Sequence, residues 1–167
     1  MNKKKILFIL SFCCLTSLIF ASNINVLVEA EAGALSTNTS VVNNAFASGG
    51  SFVKLNKTTP LGSLSFDVNI VNGGTYKLHV YSFNGGITID ADISINSGTA
   101  TTVNLEPSNW AYQDEAKLTL LDVVLVPGIN TISLTATATT NLLLDFFKVT
   151  DDFDAFYVSS FGNDANI

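Results

Sequence analysis

The sequence predicts an all-β chain folded as an antiparallel β-sandwich. Three observations carry that prediction. Apolar and polar residues alternate with period two in several separate runs, the pattern of strands with one buried face. Turn-forming residues punctuate those runs at short spacing. Thr, Val and Ile fill the runs, as a pleated half-buried surface favours, and no stretch of helical period competes with them.

Taken in chain order, residues 1–21 stand apart. Lys3, Lys4 and Lys5 precede an apolar run from Ile6 to Phe20 that only Ser11, Thr16 and Ser17 interrupt, and Ala21 closes it. This is the layout of a secretory signal peptide cleaved near Ala21-Ser22, so the mature chain is expected to be secreted and extracellular. The competing reading is an uncleaved anchor, but the run is short for a span of about 20 residues. Both cysteines, Cys13 and Cys14, lie in this leader. The mature chain is therefore expected to lack disulfides and to rest on an apolar core, with or without a metal. What remains suits one domain, expected over residues 22–150.

Within that domain Leu64, Phe66, Val68 and Ile70 alternate with polar residues, as do Tyr76, Leu78 and Val80. So do Ile87, Ile89, Ala91, Ile93 and Ile95, and then Ile132, Leu134 and Ala136. Turns fall at Asn72-Gly73-Gly74, Asn84-Gly85-Gly86, Asn96-Ser97-Gly98 and Pro127-Gly128. Two segments break the pattern: a polar loop, residues 106–117, holding the single Trp, and an acidic, aromatic tail, residues 151–167. Strands at this spacing suggest a sandwich.

Charge narrows the function. The eight basic residues are all lysine, three of them in the leader, so five lysines face fourteen acids in the rest of the chain. So acidic a domain is a poor partner for phosphate backbones and for anionic membrane surfaces. Catalytic signatures are missing too: the sequence has no HExxH, phosphate loop or nucleophile elbow, and no Cys nucleophile outside the leader. His79 lies out of phase with its strand's apolar residues, facing solvent or the opposite sheet face. Asp90 and Asp92 share a strand face and read as solvated. A non-enzymatic role is expected.

Glu29 and Glu31 are more pointed. At i and i+2 on the first mature strand they would share one sheet face, and like charges that close repel unless a cation lies between them. Calcium, which takes hard oxygen ligands, would relieve this. Asp145 is a candidate third ligand, because it interrupts the apolar run Leu142-Leu143-Leu144 and Phe146-Phe147, where a charge needs a partner. The alternative is three acids on solvated strand faces. Trp110, with Tyr112 and Asn109 beside it, sits in the polar loop. It either offers a flat apolar platform to the C–H face of a sugar or folds back to plug the end of the sandwich.

The order and spacing of several segments resemble carbohydrate-binding modules of families six and thirty-five, a galactose-binding-like group. The segments begin with Val28-Glu29-Ala30-Glu31-Ala32, Ala47-Ser48-Gly49-Gly50-Ser51-Phe52-Val53 and Leu64-Ser65-Phe66-Asp67-Val68. Gly74-Thr75-Tyr76-Lys77-Leu78, Ser82-Phe83-Asn84-Gly85-Gly86, residues 125–134 (LVPGINTISL) and Leu144-Asp145-Phe146-Phe147-Lys148-Val149 follow. The resemblance spans about residues 25–150. It implies a jelly-roll-like β-sandwich that binds a polysaccharide or oligosaccharide without cleaving it. It also implies a structural calcium held by Glu29, Glu31 and Asp145, with the Ser51 carbonyl joining them. Sugar contacts would fall to Trp110 and Asn141, with Tyr112, Asn84 and Tyr81 near the same cleft. Two departures matter. There is no arginine to clamp a uronate, so an acidic sugar would need Lys or a second calcium. Lys54-Leu55-Asn56 occupies the region of the usual second aromatic. The tail from Phe156 to Asn166 resembles the opening of right-handed parallel β-helix proteins, many of them polysaccharide lyases or hydrolases. Residues 151–167 would then be a linker or the start of a truncated glycan-degrading domain. The other readings carried forward are an adhesion sandwich without sugar specificity and the targeting fragment of such an enzyme.

Overall fold

The computed structural model describes residues 24–108 and 116–151, and all the following geometry concerns these. Eleven strands alternate in chain order: β1 Asn25–Glu29, β2 Ala34–Leu35, β3 Thr39–Asn43, β4 Ser51–Leu55, β5 Ser63–Ile70 and β6 Gly74–Ser82, then β7 Ile89–Ile95, β8 Thr101–Leu105, β9 Lys117–Leu125, β10 Gly128–Ala136 and β11 Leu142–Asp151. Short 3-10 turns at Ala30–Ala32 and Ser48–Gly50 are the helical pieces.

The strands form two antiparallel sheets. One runs β3-β4-β11-β6-β9, with β1 also paired to β11. The other runs β2-β5-β10-β7-β8. The period-two runs correspond to β5, β6, β7 and β10, and their apolar phases meet between the sheets. Leu78, Val80, Leu144, Phe147 and Val149 from one sheet face Leu64, Phe66, Val68, Ile132 and Leu134 from the other. Phe66 and Phe147 stack across this layer with ring centroids 4.6 Å apart. Of the four turns read from the sequence, 96–98 closes a hairpin, between β7 and β8. The other three carry the chain from one sheet to the other, which makes the architecture a sandwich rather than a meander.

β11 is the strand that builds the site. On one side it pairs with β6 along most of its length. On the other its partner changes, from β4 over Leu142–Leu144 to β1 over Phe146–Thr150. At that change the register with β6 shifts between Leu144 and Phe147. A bulge of this kind bends the strand and re-aims the residues within it. Asp145 is therefore set where two neighbouring strands end, instead of in the core phase of Leu144 and Phe147.

Candidate functional site

Two adjoining features stand at the end of the sandwich where β11 begins: a knot of carboxylates and an open cleft. Both use the loop between β3 and β4.

That loop is wound on itself by backbone bonds, Asn44 N–H to Gly50 O at 2.9 Å, Ala47 N–H to Asn44 O at 3.2 Å and Gly50 N–H to Ala47 O at 3.0 Å. Ser48 joins it to the strands. Its amide donates to Asp145 Oδ1 at 2.8 Å and its hydroxyl donates to Glu29 Oε1 at 2.7 Å. Gly49 has φ +63°, and a Cβ there would lie 3.1 Å from Glu31 Oε1 and 3.8 Å from Glu29 Oε2. Glu29, Glu31 and Asp145 thus converge on one short loop. The route differs from the sequence expectation. β1 stops at Glu29, and Glu31 lies in the 3-10 turn of Ala30–Ala32, not two residues along a strand. The tight turn, with Ala30 fully buried, brings Glu31 around to the same place. Ser51, expected beside the acids through its carbonyl, is the first residue of β4, paired to Asn43. Ser48 makes the polar contacts and was not foreseen, since its partner Asp145 lies 97 residues away.

The electrostatics of the knot are unfavourable as it stands. Asp145 is 2 % exposed. Burial pushes its carboxyl up from 3.8 to about 6, the Ser48 amide holds it down in part, and the charges of Glu29 and Glu31 raise it further. Glu29 Oε2 and Glu31 Oε2 are buried without a hydrogen-bond partner. Such orphaned buried oxygens are costly. Among the described residues none of the three acids has a cationic partner, and no group of three or more His, Cys, Asp or Glu side chains forms a ready-made metal cage. The donors are all hard oxygens, two of them unsatisfied, which is the chemistry that suits a hard divalent cation.

Gly49 gives a local test. Gly49→Ala adds a side chain in the left-handed region, which costs about 1–2 kcal/mol, and sets a methyl against two carboxylates. Gly50 also has positive φ, +83°, but nothing within 4 Å of its Cβ direction. In denaturant melts Gly49→Ala is expected to lose more stability than Gly50→Ala. Equal losses would mean that the carboxylates do not crowd that position.

The cleft, of about 630 Å³, opens beside this knot. Its floor is apolar: Phe52, Phe83 and Leu143 line it and pack together with Ala47 as a second, smaller hydrophobic cluster. The two rings lie 5.6 Å apart, tilted by 50°. Polar residues line it as well, Asn44 and Asn141 half-buried and Asn84 and Ser108 buried. Asn84 is fixed by the turn that follows it. Gly85 and Gly86 take φ +57° and +79°, and Gly85 N–H donates to Ser108 Oγ at 3.0 Å. Asn84 Nδ2 donates to Glu106 O at 2.9 Å, while its Oδ1 is buried and unpartnered. Asn141 Oδ1 accepts from the Lys57 amide at 3.0 Å.

Asn84 and Asn141, picked out from the sequence, are thus brought to one cleft. Tyr81 is not among its lining residues; it stacks on Phe146, ring centroids 4.0 Å apart, on strands β6 and β11. Trp110 and Tyr112 lie outside the described residues, as do the leader and residues 152–167. Phe52, just past the Gly49-Gly50 turn, is the aromatic that the sequence reading missed in that segment. In the sequence Phe52 reads as an ordinary strand residue, and the polar Lys54 stands out instead. His79 is half-buried, its Nε2 3.0 Å from Thr150 Oγ1, away from the cleft.

A two-sheet antiparallel sandwich with a cleft of mixed apolar and polar lining at one end is the class that fold and site define. No protein-family model matches the chain, and no curated protein does. Solved structures are similar to it. A family 35 carbohydrate binding module from Clostridium thermocellum matches with a TM-score of 0.66 at 22% identity, over 74% of this chain and 97% of its own. An exo-beta-1,3-galactanase from Phanerochaete chrysosporium matches with a TM-score of 0.67 at 22% identity, over 75% of this chain and 29% of its own. A GH26-CBM35 beta-(1,4)-mannanase from Podospora anserina gives 0.64 at 20% identity, over 75% and 27%. The chain spans under a third of each of these two enzymes and nearly the whole of the isolated module. Its two-sheet antiparallel fold is similar to that of the isolated family 35 module.

Proposed function

We propose that the chain is a non-catalytic carbohydrate-binding module that holds its sugar in the cleft and a structural calcium among Glu29, Glu31 and Asp145. The observation that carries the sugar reading is the cleft itself. Its apolar floor suits the C–H face of a sugar ring, and the amides and hydroxyl that line it suit the ring's hydroxyl edge. The similarity to an isolated module of that kind supports it, as do the matches to parts of glycan-active enzymes. Binding without cleavage is supported by the match along nearly the whole length of an isolated carbohydrate binding module. The two orphaned glutamate oxygens favour the calcium. In this reading Ser48 links ion and sugar sites, because the loop it anchors also carries Asn44 to the cleft wall.

The test is affinity electrophoresis of the full chain through gels containing neutral and acidic polysaccharides. Retardation by at least one of them is expected, with Asn141→Ala and Trp110→Ala each weakening it while the thermal melt is kept. Free migration through every gel would overturn the reading. That outcome would favour a protein-contact module instead, for which β9 offers an edge strand with Leu118, Leu120 and Val124 exposed.

A further inference from the structure

The most exposed large apolar side chains of the molecule are not scattered. Among the described residues Val124, Ile129 and Val71 are the most open, at 70, 69 and 68 % exposed, and Val126 is exposed beside them. All four lie at the pole away from the cleft, on or next to the connections that join β5 to β6 and β9 to β10. The two connections touch, since a Cβ on Gly73 would lie 2.9 Å from Pro127 Cδ. Ile70 pairs with Gly128, so Val71 and Ile129, one residue beyond each, are diagonal neighbours on one sheet face. Lone exposed aliphatics are ordinary, whereas a gathered set marks a surface that something covers.

Both connections are pinned from within, so the exposure is built in. The Tyr76 hydroxyl donates to Asn72 O. The fully buried Asn130 side chain accepts from the Val126 amide at 2.9 Å and donates to Val126 O at 2.7 Å. β11 delivers the chain to this same pole. Asp151 pairs with Tyr76, and Tyr76 with Val123, so Asp151 stands two strand spacings, about 10 Å, from β9 beside Val124. The residues that follow, 152–167, include Phe153, Phe156, Tyr157, Val158 and Phe161. Extended chain covers about 3.3 Å per residue, so the step from Asp151 to Phe156 reaches about 16 Å, past Val124. Ser22 and Asn23, just before Ile24, are polar and offer nothing to such a surface.

We propose that residues 152–167 fold back on their own sandwich and cover this pole, with Phe153, Phe156 and Tyr157 seated against Val71, Val124, Val126 and Ile129. The contact removes apolar surface from water on both sides. Its entropic cost is that of closing a short loop, because the segment is already tethered at Asp151. The segment then extends the sandwich as a stiff joint instead of a free linker. The inference is independent of the sugar and calcium readings, since it uses neither the cleft nor the three acids.

Hydrogen exchange and thermal melts of the full chain test it. The patch variant combines Val71→Thr, Val126→Thr and Ile129→Thr, and the segment variant combines Phe156→Ser and Tyr157→Ser. Threonine keeps the β-branch at positions the sandwich itself leaves exposed, so the fold is kept. Amides within residues 152–167 are expected to exchange at least about tenfold more slowly than in an unstructured peptide, and the patch variant is expected to lose that protection. Each variant should lower Tm by about 3–6 °C, and the two combined by no more than the larger single loss. Unprotected amides in the parent chain would overturn the docking. Protection unchanged in the patch variant would overturn its assignment to this pole, and so would additive losses of Tm. Protection that vanishes on about hundredfold dilution would make a second copy the occupant and overturn the fold-back.

Discussion

Chelation of divalent cations is expected to lower the melting temperature by on the order of 10 °C. A ligand that binds only the native state stabilises it by mass action, about 4 kcal/mol at a thousand times its dissociation constant. For a domain of this size each kcal/mol shifts the melt by about 2–4 °C. The dependence on pH identifies the group involved. Asp145 is held at about 6 in the fold, above its ordinary 3.8. Without a cation the folded state therefore favours the protonated acid. Stability is then highest below about pH 4, falls as pH rises towards 6, and stays lower above that. With calcium present the trend inverts, because the ion binds the carboxylate form and its stabilisation grows as pH passes through 6. Melts at about pH 5 and about pH 7.5, each with calcium and with chelator, read both effects. Superimposable melts in calcium and chelator at the higher pH would eliminate the ion site.

Phe147→Ala is expected to cost about 3–5 kcal/mol, while Phe146→Ala costs no more than about 1.5. Phe147 is fully buried, stacked on Phe66 between the sheets. Removing its ring opens a cavity in close-packed surroundings that cannot collapse. Phe146 is half-buried and stacks on Tyr81 outside that layer. Since whole domains are stable by about 5–15 kcal/mol, Phe147→Ala takes a large share and Phe146→Ala a small one. Chemical denaturation of the two variants separates them. Equal costs would contradict the bulge that sets their phases.

This pair also shows where the sequence stops being informative. β5, β6, β7 and β10 are legible because each has one buried and one wetter face, so burial writes itself as period two. The burial of β10 alternates in this way along most of its length. β11 is buried almost throughout, so Leu142 to Phe147 reads as an unbroken apolar block around one acid. Nothing in that block says where the register slips, and hence which phenylalanine points inward. β9 fails for the opposite reason: its outward Leu118, Leu120 and Val124 are apolar too, which erases the alternation. The acids of the knot were legible as charges in want of a partner. Their hydrogen-bond link, Ser48, was not, because serine in a Gly-rich loop looks the same whether or not it bonds to distant strands. In the cleft Asn84 is legible beside its Gly-Gly turn, whereas Asn141 follows only from the resemblance, as the residue before the last strand. The phenylalanine floor was hidden among ordinary strand aromatics.

The antiparallel pairing of β1 with β11 fixes how the domain can be strung on a longer polypeptide. Asn25 is opposite Thr150, and the Ile24 amide lies 3.4 Å from Asp151 Oδ2, so the chain enters and leaves side by side. The cleft gathers around the other end of β11, at Asn141 and Leu143. Ten residues of strand put about 30 Å between the two poles. Ile24 and Asp151, where the described residues of the sandwich begin and end, therefore lie at the pole away from the cleft. A sandwich so arranged has both its points of covalent attachment on one side and its open end on the other.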